Sequence, residues 1–169
     1  RSTRAAHRME SAPAPRQAAI LSADIAGSTR LYETLGDAEA LSTITHALDV
    51  IRQVCEEHGG RVVKTIGDEA MAIFPNAANA AYASITMQTQ VSGMKTSRGA
   101  PLAIHAGFHY GPVIVESKDV FGDSVNLAAR LTSLAKAGQT LLSADTLAIL
   151  SPSLRSRTRT QDTHTVRGK

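Results

Sequence analysis

Two strand-like runs, residues 61–66 and 69–74, are separated only by Gly67 and Asp68. A link that short turns the chain back on itself, and glycine at the first turn position favours a tight antiparallel hairpin. The same stretch, KTIGDEAMAIF from Lys64 to Phe74, places Lys64, Asp68 and Glu69 in otherwise apolar surroundings. Burying charge is costly without a partner, so these residues need a reason to be there. Upstream, AAILSADIAGST sets Asp24 at the end of another apolar run. The question is whether Asp24 and Asp68 belong to one site.

The rest of the chain reads around that hairpin. Residues 1–16, rich in Arg, Ala, Ser and Pro, read as a linker or disordered tail, with 17–169 as one domain and a possible sensor or regulatory domain upstream. Residues 17–25 form a strand, and a short helix is expected over 28–35. Gly36 can end that helix, and Asp37 can cap the next one. In this second helix Leu41, Ile44, Leu48, Ile51 and Cys55 recur at helical spacing and mark a core face, and HGG at 58–60 stops it. Asn76 is placed to cap an Ala-rich helix over 77–92, and TSRGAP is a loop. LAIHAGFHYGPVIVES reads as a second hairpin turning near Tyr110, Gly111 and Pro112. Asp123 can cap a helix over 124–136, which Gly138 closes. A short strand at QTLLSA, a helical turn or two at DTLAIL and a weak final strand at TRTQDTHTVRGK follow. The order strand, two helices, hairpin, helix, hairpin, helix, strand predicts an α+β sandwich, an antiparallel-rich sheet covered by helices.

Bulk properties exclude several classes. With 169 residues, 43% hydrophobic and 20% charged, the chain suits one soluble domain with a real core. A single cysteine, Cys55, cannot form an internal disulfide and is too few for a structural zinc site, which fits a reducing, cytoplasmic setting. No apolar run is long enough for a membrane segment. The net charge is +3, but only 4% of residues are aromatic and no basic stripe follows a helix, so nucleic acid is not an expected partner.

Taken alone, Asp24 could cap a helix and Asp68 could be a turn residue. Together they suggest more. If the first strand pairs beside the hairpin, its end lies near the hairpin tip. Two carboxylates there make an oxygen-rich site for Mg²⁺ or Mn²⁺ with open positions for phosphate. Backbone N–H groups from Ile25 to Ser28 would add an anion site at a helix start. Further on, Asn126 and Arg130 stand four apart on one helical face, with Leu127, Leu131 and Leu134 on the core-facing side and Asp119 in the preceding loop. His105 and His109, two apart on a strand, read as structural histidines.

Four segments, ADIAGSTRLYETLGD, VVKTIGDEAMAIF, HAGFHYGPV and VFGDSVNLAARLTSLAKAGQTLLSADT, together resemble the class III nucleotidyl cyclase catalytic domain. The resemblance implies a ferredoxin-like βαββαβ core with a C-terminal extension and a head-to-tail homodimer with active sites at the interface. It implies that Asp24 and Asp68, with the Ile25 carbonyl, hold two Mg²⁺ or Mn²⁺ ions, and that Ile25, Ala26, Gly27, Ser28 and Thr29 lie along the substrate phosphates. It assigns base reading to Lys64 and Asp119, ribose orientation to Asn126 and transition-state charge to Arg130. Lys169, with Arg167 as the other choice, matches the triphosphate lysine. The expected activity is conversion of ATP to 3′,5′-cyclic AMP and pyrophosphate. The alternatives are a guanylate cyclase or a catalytically silent nucleotide-binding or dimerisation module.

Overall fold

The computed structural model describes residues 14–158; of the expected final strand only Thr158 is among them, and Arg167 and Lys169 lie outside. The described elements are β1 (Ala14–Ile25), α1 (Ser28–Leu35), α2 (Asp37–Glu57), β2 (Arg61–Ile66) and β3 (Glu69–Phe74), then α3 (Ala77–Ser92), β4 (Ile104–Val115) and β5 (Val120–Phe121), and finally α4 (Asp123–Leu134), β6 (Thr140–Leu142), α5 (Ala144–Ala148) and α6 (Pro152–Arg155). The sheet order is β2-β3-β1-β4-β5, with β6 pairing β4 in parallel and every other pair antiparallel. This is the mixed α+β sheet covered by helices that the sequence predicts. Among the described residues no helix is long and apolar enough to cross a membrane.

β1 is the central strand. It begins at Ala14, so Pro15 and Arg16, read from sequence as tail, belong to the strand. Alternation divides its side chains between two cores. Ala19, Leu21, Ala23 and Ile25 pack with Ile44 and Ile51 of α2 and Met87 of α3. Ala18 and Ile20 face the opposite side, with Met71, Ile73, Val113 and Ala128 of α4. The helices therefore cover both faces of the sheet.

Several local expectations hold for the reasons that suggested them. The hairpin turns at Gly67, which takes φ 59. The Asn76 side chain accepts the Asn79 N–H at 2.8 Å and starts α3. Others do not. Asp37 and Asp123 lie in the first turns of α2 and α4, and the N-caps are Gly36 (φ 83) and Gly122 (φ 129). Leu41 and Leu134 are exposed, and Leu48 is only partly buried. The buried stripe of α2 is Ala40, Ile44, Ala47, Ile51, Val54 and Cys55, because small residues let the helix lie close to the sheet.

The largest difference is at Gly111-Pro112. No turn forms there; β4 runs unbroken beside β1 from Val115, opposite Ala14, to Ile104, opposite Ile25. The hairpin turns later, where Glu116 N–H bonds the Asp119 carbonyl at 2.9 Å. The glycines serve helix packing instead. A Cβ on Gly107 would lie 2.6 Å from Thr132 N and 2.7 Å from Leu131 Cβ, and one on Gly111 would lie 2.4 Å from Ser124 Oγ. Pro112 lies between the stretches of β4 that pair β6 and β5, where a missing N–H is tolerated.

Gly107→Ala should therefore destabilise the domain by about 1–3 kcal/mol, since helix backbone cannot yield as a side chain can. Urea unfolding checks this, and a midpoint equal to that of the parent chain would refute the close-packing account.

Candidate active site

Register brings the two metal-candidate aspartates together. Asp24 is the penultimate residue of β1, opposite Glu69 on β3 and His105 on β4. Ile25 N–H donates to the Asp68 carbonyl at 3.2 Å, tying the hairpin turn to the end of β1. Asp24 and Asp68 are thus neighbours because the hairpin has a two-residue turn and β1 pairs with its second strand.

The Asp24 carboxyl is in an unusual state. Its Oδ1 is buried and has no hydrogen-bond partner. Its Oδ2 is 4.0 Å from His105 Nδ1. Burial, then the Glu69 charge, push its pKa up to about 6, with His105 opposing and Asp68 adding to the rise. Glu69 is held in place by Ser22 Oγ, which donates to Oε2 at 2.6 Å from a fully buried position. Glu69 had no role in the sequence reading. The signal for it was the pairing of β1 with β3, which the sequence alone does not fix.

The residues present fit a divalent cation. The donors are hard carboxylate oxygens, one of them buried and orphaned, and the Glu69 and Asp68 charges add to the negative field there. Two carboxylates fill only part of the coordination shell of Mg²⁺ or Mn²⁺, which leaves positions for water or phosphate.

The helix start beside this site differs from expectation. The Ile25 and Ala26 N–H groups are already committed, to Asp68 O at 3.2 Å and Ala103 O at 2.9 Å. The first free N–H groups shift to Gly27, Ser28 and Thr29. Gly27, at φ 68, caps α1 without a side-chain bond.

Lys64 reaches the same sheet face through an irregularity. Val62 pairs with Ala72 and Lys64 with Met71, so Val63 is an extra residue on β2. This bulge puts Val63 and Lys64 both on the face where Met71 and Ala128 lie. Simple alternation would have sent Lys64 to the other face, with Val62. Lys64 Nζ is 2.8 Å from Asp119 Oδ1, and each side chain is about one-third exposed (31% and 33%). Asp119 stands at the far edge of the sheet, just before β5. Its approach is secured a second time by Arg61 Nη1, which donates to the Ser117 carbonyl at 2.9 Å. The Lys64 bond, then the Val120 N–H at 2.8 Å, hold the Asp119 carboxyl below its ordinary pKa.

Asn126 and Arg130 share one exposed face of α4. His105 and His109 are structural, as expected: His109 Nδ1 is 2.6 Å from Ser143 Oγ, and His105 Nδ1 is 3.0 Å from the Thr132 carbonyl. Three groups result: Asp24 with Asp68, Lys64 with Asp119, and Asn126 with Arg130. No hydrogen bond or ion pair joins one group to another among the described residues.

The family model of the adenylate and guanylate cyclase catalytic domain matches residues 10–169. The chain belongs to this family. It is similar to the adenylate cyclase of Streptomyces coelicolor, 35% identical over 121 residues that cover 71% of this chain and 30% of that protein. It is 32% identical over 163 residues to the adenylate cyclase of Lachancea kluyveri, covering 80% of this chain and 9% of that one. This cyclase domain thus spans less than a third of the length of these curated relatives. Its fold matches the monomeric guanylyl cyclase domain of a fusion protein from the aquatic fungus Blastocladiella emersonii, with a TM-score of 0.75, 22% identity, and coverage of 80% of this chain and 86% of that one.

The raised Asp24 pKa carries a stability consequence. Between the ordinary value of 3.8 and about 6 the folded state binds more proton than the unfolded state. The metal-free protein should therefore lose stability as pH rises through that window, by about 1–3 kcal/mol. Asp24→Asn should remove this slope and leave the metal-free domain more stable than the parent at pH 7. Unfolding curves at pH 4, 5, 6 and 7 (about one unit apart, to span the titration) test it, and an unchanged slope in the variant would refute it.

Proposed function

We propose that this domain is an adenylate cyclase, converting ATP to 3′,5′-cyclic AMP and pyrophosphate at composite sites in a head-to-tail homodimer. The observation that carries the ATP reading is the Lys64–Asp119 pair at 2.8 Å, built from opposite edges of the sheet. An ammonium donor beside a carboxylate acceptor complements adenine, which offers ring-nitrogen acceptors and an exocyclic amine donor. Guanine presents a carbonyl and a ring N–H on the corresponding edge and mismatches the pair.

In the reaction the ribose 3′-hydroxyl gives up its proton to water, its oxygen attacks the α-phosphorus to form one P–O bond, and the bond to pyrophosphate breaks. Asp24, Asp68 and the Ile25 carbonyl would hold two Mg²⁺ or Mn²⁺ ions, which when bound lower the 3′-hydroxyl pKa and neutralise phosphoryl charge. Lys64 and Asp119 orient the base. Asn126 orients the ribose. Arg130 supplies positive charge where negative charge grows on the phosphoryl oxygens. The N–H groups of Gly27, Ser28 and Thr29 cradle phosphate at the start of α1. Lys169, outside the described residues, would add a triphosphate contact.

The homodimer is part of the same reading, and its support is the resemblance to dimeric cyclase domains. Asp24 and Asp68 of one subunit would serve the site completed by Lys64, Asp119, Asn126 and Arg130 of the other. Any sensor input would come from outside residues 17–169.

Incubating the protein with Mn²⁺ and ATP or GTP, and measuring cyclic product, should give cyclic AMP as the main product. Asp24→Asn and Asp68→Asn should each lower turnover by roughly a hundredfold or more, because each removes a hard anionic ligand. Near-normal turnover in both would end the metal assignment. Lys64→Glu combined with Asp119→Ser should weaken the preference for ATP over GTP, and full ATP selectivity in the double variant would show that the pair does not read the base.

Composite sites predict complementation. Asp24→Asn and Arg130→Ala chains, each nearly inactive alone, should on mixing in equal amounts recover up to about a quarter of wild-type activity, from random pairing into symmetric dimers. No recovery, once subunit exchange is verified, would place both residues in one chain's site.

A further inference from the structure

Arg130 is exposed, on a helix whose position must be fixed by something else. α4 is bonded to the sheet at Thr132, which is 2% exposed and lies two residues beyond Arg130. The single Thr132 hydroxyl proton is shared between the Ala128 carbonyl one turn back, at 2.9 Å, and the Ser22 carbonyl of β1 at 3.0 Å, across 110 residues of sequence. The Thr132 carbonyl faces His105 Nδ1 at 3.0 Å and also takes the Ala135 N–H at 3.2 Å. A carbonyl only accepts, so His105 carries its proton on Nδ1 and donates it there. Ser22 and His105 both belong to the sheet beside Asp24: Ser22 is two residues before it on the same face, and His105 is its partner in register. The bare Gly107 lets the Thr132 backbone reach the sheet at this point.

We propose that His105 and Thr132 form a clamp that positions Arg130, and that His105 is a positioning residue for the transition-state charge and not a metal ligand. The clamp fixes the last turn of α4 in direction and height above the sheet, through one bond to β1 and one to β4. The guanidinium two residues earlier, which makes no hydrogen bond or ion pair among the described residues, is held through the position of its helix. A helix end held only by packing could tilt, and a displacement of about 1 Å at a catalytic group is enough to lower a rate by up to two orders of magnitude. The clamp rests on the cyclase reading for the role of Arg130, and on its composite sites for one arm of the test.

Two variants of similar size separate the bond from the packing. His105→Leu fills the space without a donor, while His105→Asn places an N–H near the position of Nδ1. His105→Leu should lower kcat about tenfold with KM for ATP unchanged, since Arg130 acts mainly in the transition state. His105→Asn should retain most of the wild-type kcat. Thr132→Val, which loses the Ser22 bond and keeps the shape, should behave like His105→Leu and provides the test if that variant fails to fold. A kcat for His105→Leu within twofold of wild type, or an Asn variant no better than Leu, would overturn the clamp.

Mixing shows which half of the site is disturbed. His105→Leu mixed with Asp24→Asn should recover about a quarter of wild-type activity, because the intact site uses the Arg130 of the Asp24→Asn chain. His105→Leu mixed with Arg130→Ala should reach only about a twentieth, because its live site depends on the unclamped Arg130. The reverse order, or equal low recovery in both, would mean that His105 acts on Asp24 or on the fold at large, and the proposal would fall. If Asp24→Asn and Arg130→Ala fail to complement each other, the composite-site reading fails, and the comparison of Leu and Asn still decides the clamp.

Discussion

Everything at the candidate site depends on the register of β1 between β3 and β4. β1 is paired along both sides, so its alternation is fixed twice. That alternation sends Leu21, Ala23 and Ile25 under α2 and α3, and Ser22 and Asp24 to the face that carries α4. A slip of one residue would exchange the two sets and bury Asp24 among aliphatic side chains. The same register sets Glu69 and His105 on either side of Asp24, and it sets Ser22 beneath Thr132. The apolar pattern of β1 is therefore what aims the acidic residue.

The cost of this arrangement is local. Asp24 is half-buried, one of its oxygens is unpartnered, and Glu69 and Asp68 add negative charge beside it. A site built only for stability would put an apolar or neutral residue here. Ser22 makes the contrast sharper, because its buried hydroxyl holds the Glu69 carboxylate next to Asp24 instead of turning it to solvent. The rest of the domain offsets the repulsion through a core that runs on both faces of the sheet.

What the sequence revealed depended on range. Features governed by adjacent residues were legible: the Gly67-Asp68 turn and the Asn76 cap; the nearness of Asp24 and Asp68 was legible only on the supposition that the first strand pairs beside the hairpin. Features decided by distant contacts were not. Gly111-Pro112 has the composition of a turn, but β1 is long enough to keep β4 straight, and α4 needs the glycine's missing side chain. Leu41 fits a helical stripe, yet the stripe that packs contains Ala40 and Ala47, because close approach of α2 to the sheet selects small residues. The free N–H groups were placed two residues early, since the bonds from Ile25 and Ala26 go to Asp68 and Ala103, residues far away in sequence. The roles of Asn126 and Arg130 came from family resemblance; spacing alone put them on one exposed face and no further.

The bulge at Val63 bears on why Lys64 and Asp119 meet at all. A regular β2 would direct Lys64 away from Asp119, and the extra residue reverses it. Bulges disrupt the ladder locally, and an exposed ion pair gives little in return because water screens it. Stability therefore does not explain the irregularity. Geometry does: the ammonium retains N–H groups beyond the one given to Asp119, and the two bonds to the carboxylate, from Lys64 and Val120, both fall on Oδ1. A donor and an acceptor thus stand side by side, fixed from two strands and steadied by Arg61 on the Ser117 carbonyl. This is the donor–acceptor pattern that the proposed adenine reading requires, and the strand irregularity is the means by which the sheet holds it in place.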